Sequence, residues 1–304
     1  MTTMRAVRYT EFGGPEVLHV AELPVPEPGR GEVRVRVAAS TLHPVDLMVR
    51  SGRFPAPLPG ELPYVPGWDV AGTVDAAGPE AGDLTVGDAV IGFSPWLSTL
   101  AGTHAEFVVL KAAWLTAAPA GVPATEAATL PTNGLAAAQA LDLLGLPKGS
   151  SVLVTGAAGQ VGGFLLALAR AAGLRATGLA GPGDREFVTS QGATFASRAQ
   201  EPPSGPFDAV VDLAVLGPDL LAAVRDGGGF VAASPPLRPE QVRGIRTYAL
   251  EVPPDGHRLS ELVTLVESGR IPLRVEAVYP FTEAAAAHER LAAGGVRGGV
   301  VVTP

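Results

Sequence analysis

The sequence predicts an α/β protein made of two kinds of segment, a β-rich barrel or sandwich and a parallel sheet covered by helices. Residues 31–37, GEVRVRV, alternate apolar and basic side chains, the period of two that marks a half-buried strand. Between 151 and 234, strand-length apolar runs alternate with helix-like ones, the sequence form of a parallel sheet with crossover connections. Residues 151–163, SVLVTGAAGQVGG, set a glycine-rich turn between a strand and a helix.

Taken in order, Val33, Val35 and Val37 form one strand face, with Arg34 and Arg36 on the other. PGWDVAGTVDAAG, GDAVIGF and GTHAEFVVL are further short strands divided by Gly, Pro and Asp turns. Thr125 is suited to cap a helix, and the Ala/Leu-rich run from Gly134 to Leu144 has helical composition. SVLVT, RATGLA, FDAVVDLA and FVAAS are then strands, and FLLALARAAG, DREFVTSQGA and PDLLAAVRDGG the helices between them. The tail holds a helix around LSELVTLVES, an extended VEAVYPF, a helix around TEAAAAHERLAA and a closing strand GGVVVT.

The 304 residues are 47% hydrophobic and 17% charged, enough to bury a sizeable core and unlike a disordered chain. A net charge of −8 with scattered basic residues speaks against a nucleic-acid partner. The absence of cysteine excludes disulfides, a thiolate nucleophile and cysteine-ligated zinc. The N-terminus lacks a signal-peptide core, and no apolar run reaches the ~20 residues of a membrane helix. The longest candidate, Phe164–Leu179, is broken by Arg170 and Arg175. The expectation is a cytoplasmic protein with no membrane partner.

Gly156, Gly159 and Gly162 recur at every third position, followed by a helix. Small residues allow close backbone approach, and a helix N-terminus binds anions through its N–H groups and dipole. The spacing is looser than G-x-G-x-x-G, so the turn alone reads either as a phosphate cradle or as close packing. The second strand, Ala176–Leu179, ends about 20 residues on, where a site for NAD places an acid. Ala180-Gly181 stands there instead, so a 2′-phosphate would meet no repulsion.

MRAVRYTEFGGPEVL, HPVDLMVRSG, LPYVPGWDVAGTV, GDAVIGF, GTHAEFVV, ATLPTNGLAAAQAL, VLVTGAAGQVG, FDAVVDLA and the closing RGGVVV resemble the medium-chain dehydrogenase/reductase superfamily. Within it, they resemble the zinc-independent quinone oxidoreductase (zeta-crystallin-like) branch. The resemblance runs along almost the whole chain. It implies a GroES-like β-barrel catalytic domain, from residues 1–122 and 250–304, and a Rossmann doubly wound parallel-sheet nucleotide-binding domain at 123–249. It further implies a homodimer and NADPH, preferred over NADH, as hydride donor to a quinone or an α,β-unsaturated carbonyl.

Zinc members of the superfamily carry Cys and His-Glu type ligands in the segments equivalent to TLHPVD and PGWDVAG. Here Gly67-Trp68-Asp69 replaces Gly-His-Glu, and the five histidines show no ligand spacing, so no metal is expected. The cofactor residues implied are Thr132, Asn133, the loop Gly156, Ala157, Ala158, Gly159, Gln160 and Val161, then Gly181, Arg185 and Leu213. Arg185 reads as a 2′-phosphate ligand or as a solvated first-turn side chain.

Hydride delivery to an enone or quinone leaves negative charge on the carbonyl oxygen, which calls for a hydrogen-bond donor or an acid. His43 stands where the family usually has Asn, beside Asp46. It either serves that oxygen or merely orients a loop, held by Asp46. Tyr64 reads as pocket lining or packing, and Trp68 as a wall for a flat substrate or a core aromatic. The competing expectation is an NADPH-binding protein of the same fold that has lost redox chemistry.

Overall fold

The structure, a computed structural model, describes residues 2–201 and 203–304. The chain divides into two units, Met1–Thr132 with Pro253–Glu267 and Leu273–Pro304, and Asn133–Val252 with Ser268–Pro272. The first crossing thus falls after Thr132, inside the helix that opens the nucleotide-domain segment, rather than at 122.

The first unit begins with β1 (Thr3–Arg8), β2 (His19–Pro24) and β3 (Glu32–Thr41), followed by α1 (Pro44–Arg50). It continues with β4 (Asp69–Ala77), β5 (Ala89–Phe93), α2 (Trp96–Thr99), β6 (Phe107–Lys111), β7 (Leu115–Ala117) and α3 (Ala124–Ala127). The expected alternation holds in β3: Val33, Val35 and Val37 are buried and pack with Val70, Val74, Val90 and Leu110. On the opposite face Arg34 and Arg36 both bond Asp75, and Arg36 lies over the Phe107 ring at 4.7 Å.

The second unit carries most of α4 (Pro131–Leu144), then β8 (Ser151–Thr155), α5 (Gln160–Ala171), β9 (Arg175–Ala180) and α6 (Arg185–Ser190). Strands β10 (Thr194–Ser197), β11 (Phe207–Asp212), β12 (Val224–Ala232) and β13 (Arg246–Ala249) complete it. Its six-stranded sheet runs β10-β9-β8-β11-β12-β13, parallel throughout. The chain then returns to the first unit through α7 (Gly256–Glu267), β14 (Val275–Pro280), α8 (Ala284–Ala292) and β15 (Gly299–Thr303). Its sheet runs β14-β15-β3-β4-β5-β7, with β6 also on β3.

Local expectations were overturned in two places. Thr125 lies inside α3, a short separate helix, and α4 starts at Pro131, whose missing N–H costs nothing in a first turn. PDLLAAVRDGG is no α-helix: Pro218–Ala223 form a 3₁₀ turn and Val224 already begins β12. Arg243 donates to the carbonyls of Leu221 and Val224, satisfying there the groups a helix would have paired.

Candidate active site

The first unit gathers a buried polar chain. His43 precedes α1, whose N-terminal Pro44 sets the turn, and Asp46 reaches back so that its Oδ2 accepts the His43 amide at 2.8 Å. Asp46 Oδ1 also accepts the Gly67 amide at 3.2 Å, tying α1 to the segment that enters β4. The His43 ring is held by a different carboxylate: Nε2 donates to Asp69 Oδ2 at 2.9 Å. Asp69 Oδ1 in turn accepts both the amide of Thr132, at 3.0 Å, and its hydroxyl.

Asp69 is wholly buried and the His43 side chain keeps 8% of its surface. Burial disfavours the charge of His43, but the attraction and hydrogen bond of Asp69 outweigh it and raise the pKa. Burial pushes the Asp46 carboxyl up to about 6, against the pull of His43 and of two backbone N–H groups. The arrangement leaves one imidazole nitrogen oriented by a carboxylate, as a general acid requires.

Asp69 is the centre of this chain, and the residue-level reading missed it, although Gly67-Trp68-Asp69 at the Gly-His-Glu place was its signal. Thr132, expected beside the cofactor, directs its amide and hydroxyl to Asp69 instead. Tyr64 carries packing here: its hydroxyl donates to the Pro59 and Gly60 carbonyls and its ring sits edge-on to Tyr9 and Trp96. Among the described residues no three His, Cys, Asp or Glu side chains form a metal-binding group, and no helix is long and apolar enough to cross a membrane.

In the second unit, the turn after β8 leads directly into α5. Gly156 has φ +61°, and a Cβ on Gly162 would lie 2.3 Å from the Gly156 carbonyl, so neither position tolerates a side chain. Ala157 and Ala158 are buried. No side chain caps α5 at Gly159, and the first-turn amides of Val161 and Gly162, next to Gln160, meet no protein acceptor among the described residues. That is the donor set a pyrophosphate needs.

The adjoining loop is pinned to this turn. Thr155 Oγ1 donates to Asp212 Oδ1 at 2.6 Å and accepts the Ala214 amide at 2.9 Å. Asp212 also accepts the amides of Leu216 and Gly217. Leu213 abuts Gly156, its carbonyl carbon 3.4 Å from where a Cβ would stand. Asn133 is buried near the start of α4.

At the end of β9, the Gly181 amide donates to Asp184. Arg185 lies over the Phe195 ring at 4.4 Å. A Cβ on Gly181 would be 3.7 Å from Nε of Arg198, an exposed guanidinium that bonds no protein group among the described residues. Sequence reasoning missed Arg198 because β10, which delivers it back to β9, is too short and polar to announce itself.

Residues 29–120 match the alcohol dehydrogenase GroES-like domain and residues 183–302 the zinc-binding dehydrogenase domain. The chain is 31% identical to the chloroplast envelope quinone oxidoreductase homolog of Arabidopsis thaliana, covering 99% of this chain and 98% of that protein. It is 30% identical to the NADPH-dependent alkenal/one oxidoreductase, chloroplastic, of the same plant, over 99% of this chain and 80% of the other. Among solved structures, the quinone oxidoreductase from Coxiella burnetii superposes with a TM-score of 0.90 at 27% identity, each chain fully covered. With barrel-type and parallel-sheet units in the expected order and a relative matching end to end, the chain belongs to the zinc-independent quinone oxidoreductase branch of the medium-chain dehydrogenase/reductase superfamily.

Proposed function

We propose that this oxidoreductase reduces a quinone or an α,β-unsaturated carbonyl with NADPH and without a metal. The observation that carries the reading is the buried His43–Asp69–Thr132 chain. Bound NADPH would supply the hydride. His43 holds the proton at Nδ1 and hands it to the carbonyl oxygen as charge gathers there; Asp69 keeps the ring oriented and its charged form favoured. Asp46 fixes the backbone of His43, while the first turn of α5 receives the pyrophosphate. The metal-free reading is supported by the donor set, since His43 and Asp69 bond each other and Trp68 fills the third place.

Arg198 and Arg185, near the end of β9, support NADPH over NADH, because both are suited to a 2′-phosphate. A cytoplasmic homodimer belongs to the same proposal, with β13, at one end of the parallel sheet, as the edge through which copies would pair. Purified protein is expected to oxidise NADPH on addition of a quinone or an enone. Arg198→Ala is expected to weaken NADPH binding about 10-fold, the scale of one charge-assisted hydrogen bond, and to leave NADH binding within about twofold. No turnover across a broad acceptor panel, with NADPH still bound, would leave a cofactor-binding protein without redox chemistry and overturn the proposal.

A further inference from the structure

The site carries one aromatic side chain whose role the chemistry above does not use. Trp68 and Trp96 are neighbours, ring centroids 6.2 Å apart and tilted by 43°, yet they differ in kind. Trp96 is 1% exposed and its indole N–H donates to the Val65 carbonyl at 2.7 Å, which makes it a satisfied core residue. Trp68 is only half-buried, and its indole N–H meets no protein acceptor among the described residues. Trp68 packs part of its ring against the cluster of Tyr9, Val49, Tyr64 and Trp96 and leaves the rest exposed.

Its position is also fixed by the residues that hold the acid. The Gly67 amide bonds Asp46, the Asp69 carboxylate bonds the His43 ring, and the Trp68 carbonyl accepts the Ser94 amide at 2.7 Å. The backbone of Trp68 is thus held on both sides by partners of His43. The indole packs with Tyr9, Asp46, Val49, Pro66 and Trp96 around a gap too tight for a water molecule, and Trp96 and Tyr64 stand edge to face at 5.2 Å. A rigid apolar backing of this kind presents a flat π-face at low entropic cost.

We propose that Trp68 determines acceptor preference by stacking on flat, conjugated rings, so that fused-ring quinones are favoured over small aliphatic enones. This rests on the reductase reading above. The test compares wild type, Trp68→Phe and Trp68→Ala with 1,4-naphthoquinone and with 2-cyclohexenone at saturating NADPH. Thermal unfolding serves as the check on folding, and equilibrium dialysis of the quinone against the NADP⁺ complex as a readout independent of turnover. Trp68→Ala is expected to lower kcat/KM and binding for the quinone roughly three- to tenfold, to leave the enone within twofold, and Trp68→Phe to recover most of the quinone preference. If Trp68→Ala does not fold, Trp68→Leu against Trp68→Phe carries the same comparison. An unchanged quinone-to-enone ratio, or equal losses on both acceptors, overturns the inference and leaves the reductase reading standing. A wild type that turns over neither acceptor overturns that reading and the inference with it.

Discussion

At the scale of single residues, His43 and its two carboxylates divide the work by which atom each one reaches. Asp46 takes the backbone amide and Asp69 the ring, so removing them has different consequences. In the proposed role of acid, His43 acts only while protonated, and its raised pKa keeps it so at higher pH than a free histidine. The rate is therefore expected to fall as pH rises through that pKa, above about 6.5. His43→Asn should lose about 100-fold in kcat and the basic limb of the profile with it. Asp69→Asn removes the charge that raises the pKa, so the same limb should move to lower pH. A basic limb unchanged in Asp69→Asn would mean the carboxylate does not set the proton affinity of the ring.

At the scale of elements, the parallel sheet works as a frame for its loops. The side chains of Thr155 and Asp212, at the ends of neighbouring strands β8 and β11, fasten the glycine turn to the loop at 213–217. Val215 there has φ +56°, a conformation an L-residue holds only when its surroundings impose it. Asp212→Ala leaves the Leu216 and Gly217 amides and the Thr155 hydroxyl without their acceptor. It is expected to cost about 1–3 kcal/mol in chemical denaturation and to weaken NADPH binding as the loop loosens. Asp212→Asn, which retains one carbonyl acceptor, should recover part of both. Stability and NADPH affinity unchanged in Asp212→Ala would show that the loop is held by other contacts.

At the scale of the whole molecule, burial of polar groups in the first unit sets the response to acid. His104 and His288 are fully buried, with ring centroids 6.4 Å apart and no hydrogen-bond partners for either ring among the described residues. Burial holds His104 well below the usual histidine range, with His288 adding to it, and burial with Arg50 nearby brings His288 down to about 3. Both take up protons in the unfolded chain before the folded one, so stability falls as pH drops below about 6.5, by ~1.4 kcal/mol per unit for each. His43 runs the other way: its stabilisation is complete below about 6.5 and is lost as pH rises through its folded pKa. Asp46, raised to about 6, disfavours folding above that pH and is relieved as it protonates. Denaturation midpoints measured from pH 7 to 5 are expected to fall in wild type, and His288→Leu should flatten the slope by about one proton's worth. An identical slope in the variant would show that His288 is not the titrating group.

The sequence by itself determined the strand alternation of 31–37, the glycine turn between β8 and α5, and the order of barrel-type and parallel-sheet segments, because each follows from local periodicity and backbone freedom. The resemblance to the family singled out His43 and Asp46 as candidates, and their three-residue spacing lets the Asp46 carboxylate accept the His43 amide. Tertiary structure alone decided that Asp69 holds the His43 ring across 26 residues, that Thr132 serves Asp69, that Arg198 returns to the end of β9, and that PDLLAA tightens into a 3₁₀ turn. Those pairings join residues far apart in the chain, and no spacing encodes them: which carboxylate meets which imidazole is settled only when the strands carrying them are packed and each buried charge must find its partner.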